Sequence, residues 1–260
     1  MIAIVLCAGF ATRMYPLTNN FPKPLLEVAG RPVIDYLMDQ LIELSGLEMI
    51  YLVSNAKFYP HFAEWKRLWE QNDRKDFPLV KLLNDGAMDN DHRLGASADF
   101  QLVMKMIPGP TQLMVTAGDN IYKFSIKPLW EQFLQSDRHH IVALPETDSK
   151  KLKKTGVLEL AADDRVNRLF EKPDHPSSTW FCPPLYFFQS TVSKRLDEFL
   201  EHPAASDAPG YFIDFLCRKD PVYAFRLNAS RLDIGSIETY RAADNDLRNN
   251  PLKGNDNQEG

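Results

Sequence analysis

The sequence is short of several features that would settle its chemistry at once. It has only three cysteines, an odd number, at Cys7, Cys182 and Cys217. No CxxC pair or Cys/His cluster accompanies them, which argues against a disulfide framework and against zinc. They read as reduced, buried thiols of a cytoplasmic protein. Basic charge is also scarce: 30 lysines and arginines stand against 35 aspartates and glutamates, for a formal net charge of -5. A nucleic-acid or membrane-surface binder would carry a basic stripe, so no nucleic acid and no membrane is expected as a partner. The apolar start, Ile2 to Phe10, lacks a charged leader, breaks at Gly9 and is too short to cross a bilayer. There is no internal repeat, no Gly-Lys-Ser/Thr phosphate loop and no GxGxxG dinucleotide fingerprint.

What is present is an ordinary globular composition, 44% hydrophobic and 25% charged over 260 residues. Short apolar runs alternate with helical stripes. Ile2 to Leu6, Met49 to Val53, Leu79 to Leu83, Leu113 to Thr116 and His140 to Leu144 read as strands. Between them, Val33 to Leu44, the stripe Phe62/Trp65/Leu68/Trp69, Ala96 to Met106 and Phe124 to Gln135 read as helices, the second stripe as core packing. This alternation predicts α/β crossover units and a largely parallel sheet. After Leu144 the pattern changes to a hairpin (156–160 and 165–170) and a proline-interrupted edge strand from Trp180 to Phe188. A helix from Val192 to Leu200, a strand from Val222 to Leu227 and a helix from about Ser236 to Leu247 follow. Residues 1–248 read as a single domain with antiparallel additions in its second half, and 249–260 as a polar, disordered tail.

The stretch from Leu6 to Lys23 is the first candidate site. Leu6, Ala8, Gly9, Phe10, Ala11 and Thr12 follow a buried strand, and their small residues let backbone N–H groups approach an anion. Arg13 offers a planar fork to phosphate oxygens and Lys23 a point charge. Spacing alone leaves two readings open, a grip for a triphosphate or a surface loop with incidental cations.

The same stretch, continued through Pro22-Lys23-Pro24-Leu25, resembles the signature of the sugar-1-phosphate nucleotidyltransferases. It departs at one position, where Ala11 stands for a glycine; if the backbone there needs a positive φ, alanine costs roughly 1 kcal/mol. The resemblance implies a Rossmann-like nucleotidyltransferase fold with a mixed, mostly parallel central sheet flanked by helices. It also implies Mg²⁺ as cofactor and a nucleoside triphosphate (NTP) and a sugar 1-phosphate as substrates.

Other segments resemble later stations of that family. Gly118-Asp119 and Leu232-Asp233-Ile234-Gly235 match its two metal-ligand motifs, so Asp119 and Asp233 would share the Mg²⁺. Without the resemblance both read as turn or helix-start residues. Glu171-Lys172-Pro173 matches the motif whose lysine meets the sugar phosphate and whose glutamate takes sugar hydroxyls, and Gly156 matches a glycine near the sugar. Asn84 and Gly95 bracket the base-recognition region, where the glutamine frequent in relatives is absent and Asn84 or Arg93 would substitute.

The implied reaction is attack by a sugar 1-phosphate on the α-phosphorus of the NTP, with Arg13, Lys23 and Lys172 as the working cations. The same chemistry on phosphocholine, and a non-catalytic nucleotide-sugar-binding regulator, are the alternatives. Little sequence follows the last expected helix, so the β-helix of bifunctional relatives is not expected. A homo-oligomer stays open, since Trp180-Phe181 and Phe187-Phe188 suit either core or interface.

Overall fold

The computed structural model describes residues 1–71, 78–201 and 208–252; the last eight residues of the expected tail lie outside them. The first strand, β1 (Ile2–Leu6), is followed by a two-strand ribbon, β2 (Glu27–Val28) and β3 (Arg31–Pro32), and by α1 (Val33–Leu41). Next come β4 (Met49–Ser54), α2 (Tyr59–Glu70), β5 (Leu79–Asn84), α3 (Ala96–Met104), β6 (Leu113–Ala117) and β7 (Asn120–Tyr122). Then follow α4 (Lys127–Leu134), β8 (His139–Pro145), α5 (Ser149–Leu152), β9 (Gly156–Leu160) and β10 (Val166–Glu171). The chain closes with β11 (Trp180–Cys182), β12 (Leu185–Phe188), α6 (Val192–Leu200), α7 (Pro209–Cys217), β13 (Val222–Arg226), β14 (Arg231–Asp233) and α8 (Ile237–Asn249).

Ten strands form one sheet in the order β10-β9-β11-β8-β12-β6-β1-β4-β5, with β13 against β8. The half containing β6, β1, β4 and β5 is parallel, and β13 is parallel to β8. The insertions β12, β11, β9 and β10 are antiparallel to their neighbours. This is the mixed, mostly parallel α/β architecture expected.

Helices cover both faces, which is why the strands read as continuous apolar runs. Along β1, Ala3 and Val5 enter the core shared with Leu37, Phe62 and Trp130, whereas Ile4 enters the opposite core with Phe100, Leu196 and Phe212. Each fully buried side chain of this size contributes about 1.5–3 kcal/mol. A third, smaller core joins Met14 and Val28 to Ile234 and Leu247 of the C-terminal segment. That contact closes the end of the chain over the loop that follows β1. No helix among the described residues is long and apolar enough to cross a membrane.

Two expectations need correction. Trp180 to Phe188 is not an edge strand. Its first part, β11, lies between β8 and β9, and its second, β12, lies between β8 and β6. Pro183 and Pro184, which have no N–H to donate, occupy the step where the strand exchanges β9 for β6. Here the Pro184 carbonyl accepts from Ala117 N (3.3 Å) and from the Tyr122 hydroxyl (3.0 Å). Phe181, Phe187 and Phe188 are accordingly core residues. In α2, Phe62 and Trp65 are buried but Leu68 is 51% exposed, so the stripe is narrower than its spacing implied.

His139 and His140 are structural. His139 lies buried in β8, where its Nδ1 accepts from Gln189 N at 3.2 Å. Burial lowers its pKa to about 4, against a smaller upward pull from Asp220. The unfolded chain therefore binds a proton below its ordinary value of 6.5 that the native state refuses down to about 4. Stability should fall as pH drops through this window, by at most about 1.4 kcal/mol per pH unit from this group. In urea titrations between pH 7 and 4, His139→Asn should flatten the slope; an unchanged slope would show that the acid loss comes from elsewhere.

Candidate active site

The candidate site lies beyond the carboxyl ends of β1, β6 and β4, where ligands of open α/β sheets bind. As β1 ends, Cys7 N donates to Val53 O at 2.8 Å and Gly118 N donates to Leu6 O at 3.1 Å, so the three strand ends stay in register to the rim. Gly118 must be glycine for packing, because a Cβ there would come within 2.4 Å of Cys7 Sγ. Burial pushes the Cys7 thiol well up, and nearby Asp119 adds to this. Cys7 is a packed neutral group and no nucleophile.

The loop after β1 is braced from beneath. Asn55, fully buried at the end of β4, donates to Ala8 O at 2.9 Å and accepts from Phe58 N at 2.8 Å. Phe10 packs on Phe58, and Thr18 Oγ1 donates to Ala11 O at 2.9 Å. Gly9 stands exposed with no atom within 4 Å of where a Cβ would be, so its side of the loop is open to a ligand. Ala11 has φ 48° and ψ 43°, in the left-handed region. The backbone does need a positive φ where alanine replaces the glycine of the signature. Thr12–Met14 form a single 3₁₀ turn with Met14 buried beneath it and Arg13 exposed.

Lys23 comes from the far end of this loop. Its side chain is 9% exposed, and its Nζ lies 2.7 Å from Asp119 Oδ2. Asp119 Oδ1 accepts from Asn120 Nδ2, also at 2.7 Å. Burial raises the Asp119 carboxyl, but the charge and hydrogen bond of Lys23, with help from Arg231, more than offset this and hold it below its ordinary value. Strand β14 runs antiparallel to β7 with Asp233 opposite Asn120. This register brings the two carboxylates, 114 residues apart in sequence by their numbers, onto adjoining backbone. Gly235 leaves room for Asp233, whose Oδ2 would lie 2.8 Å from a Cβ there.

Gly156 and Glu171 face each other across β9 and β10, and Gly156 also pairs with Cys182 of β11. Two residues beyond Cys182, Pro184 holds the end of β6, so a short run of chain links the Glu171 side of the cleft to the Asp119 side. The Glu171 carboxylate fits against α7 only because residue 210 is glycine; a Cβ there would lie 2.0 Å from Oε2. Lys172 has φ 48° and is 59% exposed, with Nζ 3.4 Å from Glu171 Oε1.

The structure thus gathers Lys23, Asp119 and Asp233 at one end and Gly156, Glu171 and Lys172 at the other. Arg13 lies on the exposed turn and makes no ion pair among the described residues. Gly95, with φ 93°, is the buried start of α3. Asn84 is exposed, and its Oδ1 closes a local turn by accepting from Gly86 N at 2.8 Å. Asn55, Asn120, Gly210 and Arg231 were not expected from the sequence.

Together these features define an α/β protein with a cationic loop and two carboxylates carried on adjoining backbone at the carboxyl end of its sheet. The chain belongs to the nucleotidyl transferase family, whose profile matches residues 2–250. It is 26% identical over 235 residues to a bifunctional protein GlmU of Methanocaldococcus jannaschii, covering 90% of this chain and 51% of that protein. This chain therefore spans about half the length of that relative. A UTP–glucose-1-phosphate uridylyltransferase, AglF, of Haloferax volcanii is 23% identical, with 95% of this chain and 97% of that protein covered. The fold matches a solved UDP-glucose pyrophosphorylase complexed with UDP-glucose at a TM-score of 0.79 and 17% identity, over 95% of this chain and 98% of that one.

Two substitutions test how the loop is held. Ala11→Gly should raise stability by about 0.5–1 kcal/mol in urea unfolding, by relieving the left-handed alanine; a loss of stability would show that the conformation costs nothing. Asn55→Ala leaves a buried carbonyl and a buried N–H without partners and should cost about 1–3 kcal/mol. A neutral result would mean the loop does not depend on this brace.

Proposed function

We propose that this chain condenses an NTP with a sugar 1-phosphate to give a nucleotide-sugar and pyrophosphate. The observation that carries this reading is the convergence at Asp119. Lys23 binds it directly, and the β7–β14 register sets Asp233 opposite Asn120, the next residue of the chain. The activities named for AglF and for the UDP-glucose pyrophosphorylase support the same reaction class.

An oxygen of the sugar phosphate attacks the α-phosphorus. As the new O–P bond forms, the α–β bridging P–O bond breaks, and pyrophosphate leaves with the electron pair. The attacking phosphate is already anionic, so no general base is needed, and positioning and charge neutralisation carry the catalysis. Arg13, exposed on its turn, meets the β- and γ-phosphates and stabilises the charge that builds on pyrophosphate. Lys23 serves the α-phosphate, and backbone groups of Leu6, Ala8, Gly9, Phe10, Ala11 and Thr12 line the nucleotide. Asn84 and Gly95 flank the base. Glu171 and the Gly156 backbone take the sugar hydroxyls, and Lys172 approaches the acceptor from the rim.

The carboxylates suit magnesium. Asp119 and Asp233 offer hard carboxylate oxygens, and the β7–β14 register sets Asp233 opposite Asn120, the residue after Asp119. A site of that kind is completed by phosphate oxygens and water. Mg²⁺ on Asp119 and Asp233 would supply charge neutralisation on the nucleotide oxygens.

Pyrophosphate release should be measured for a panel of NTPs against sugar 1-phosphates and phosphocholine. Turnover is expected with a sugar 1-phosphate, and Arg13→Ala and Asp119→Ala should each lower it by about 100-fold or more without loss of fold. Near-normal activity in the double variant would contradict the assignment, and turnover of phosphocholine alone would move the acceptor to the non-sugar class.

A further inference from the structure

Arg231 belongs to no motif of the sequence, yet it is packed among residues of the candidate site. It lies two residues before Asp233 on β14 and therefore on the same face of that strand. Its side chain is 11% exposed, and its guanidinium packs 5.5 Å from the centre of the Phe181 ring. One terminal nitrogen, Nη1, donates to Asn120 Oδ1 and, at 3.4 Å, to Asp233 Oδ1. The buried Nε meets no acceptor among the described residues. A guanidinium has five donors in a rigid plane, and leaving one buried and unmet is costly unless an oxygen-rich ligand or a changed rotamer completes it.

Its contacts run in two directions. On one side it holds Asn120, the residue after Asp119, and Asp233. On the other it packs on Phe181, whose neighbour Cys182 pairs with Gly156, the residue opposite Glu171. Arg231 therefore touches the Asp119–Asp233 side and the strand that leads to Glu171. On the proposed reading, the acceptor's sugar sits at Glu171 and the α-phosphate lies near Asp119 and Asp233. The acceptor phosphate must then bridge the gap that Arg231 occupies. Lys172, the other cation on that side, is a solvated point charge at the rim, whereas a packed guanidinium fork can fix both position and orientation.

We infer that Arg231 grips the phosphate of the acceptor and turns its oxygen toward the α-phosphorus. This rests on the proposed function, and the two can fail separately. The test uses the NTP and sugar 1-phosphate that the wild-type chain turns over best. Arg231→Met keeps the packing on Phe181 but removes the charge. It should raise the KM for the sugar 1-phosphate by about 10- to 100-fold, the loss expected for a charged hydrogen-bonding partner, and leave the KM for the NTP within about twofold. Arg231→Lys should recover part of the loss, and guanidinium ion added to Arg231→Ala should restore acceptor binding. If Arg231→Met does not fold, the lysine variant decides, because it keeps the charge without the fork and should still raise the acceptor KM. An unchanged acceptor KM, or equal rises in both KM values, overturns the inference and leaves the proposed function standing. A wild-type chain silent with every pair of substrates overturns both.

Discussion

The ammonium of Lys23, withdrawn from solvent and set 2.7 Å from Asp119, ties the far end of the loop after β1 to the end of β6. On one side is a long loop with little regular structure; on the other is the end of a central strand. Removing one partner of such a pair leaves an uncompensated charge, typically at a cost of 3–5 kcal/mol when fully buried. Asp119 is a third exposed, so the cost here is smaller. The consequence for the site is larger than that cost. The pair sets where the loop stands relative to Asn120, and through Asn120 and Arg231 it is connected to Asp233.

Around this tie the backbone is held in conformations that alanine and lysine seldom adopt. Ala11 and Lys172 both lie at φ 48°, one at each end of the cleft. Strained residues persist where their surroundings over-determine them. For Ala11 the surroundings are the Thr18 hydrogen bond and the Asn55–Phe58 brace beneath the loop. For Lys172 they include the bond from its own N–H to Thr155 O at 3.0 Å, which extends the β9–β10 pairing by one step. Both segments are thus held by the protein's own contacts, the preorganisation that the proposed chemistry calls for.

Much of the fold was legible because it is written locally. Continuous apolar runs gave the parallel strands, and Gly118-Asp119, Leu232-Asp233 and Glu171-Lys172 each sit at a strand end where few residues decide the geometry. Features made by distant parts were not legible. Arg231 gains its place only through the β7–β14 register, and Gly210 matters only because Glu171 lies 39 positions earlier by number yet packs against it. Helix α7 carries no clear apolar-polar period, because Tyr211 and Phe215, on the face away from buried Phe212, Ile213, Leu216 and Cys217, are apolar as well. In the Trp180–Phe188 segment the prolines read as the interrupted ladder of an edge strand, but they mark an exchange of partners in the middle of the sheet.

The central claim is that this cleft joins two substrates directly at the α-phosphorus. A sugar 1-phosphate labelled with ¹⁸O on its non-bridging phosphate oxygens, incubated with an NTP and followed by ³¹P NMR, tests it most closely. The account predicts pyrophosphate free of label and a nucleotide-sugar whose new P–O–P bridge carries ¹⁸O from the sugar phosphate. Release of nucleoside monophosphate with solvent oxygen, or label in the pyrophosphate, would contradict it.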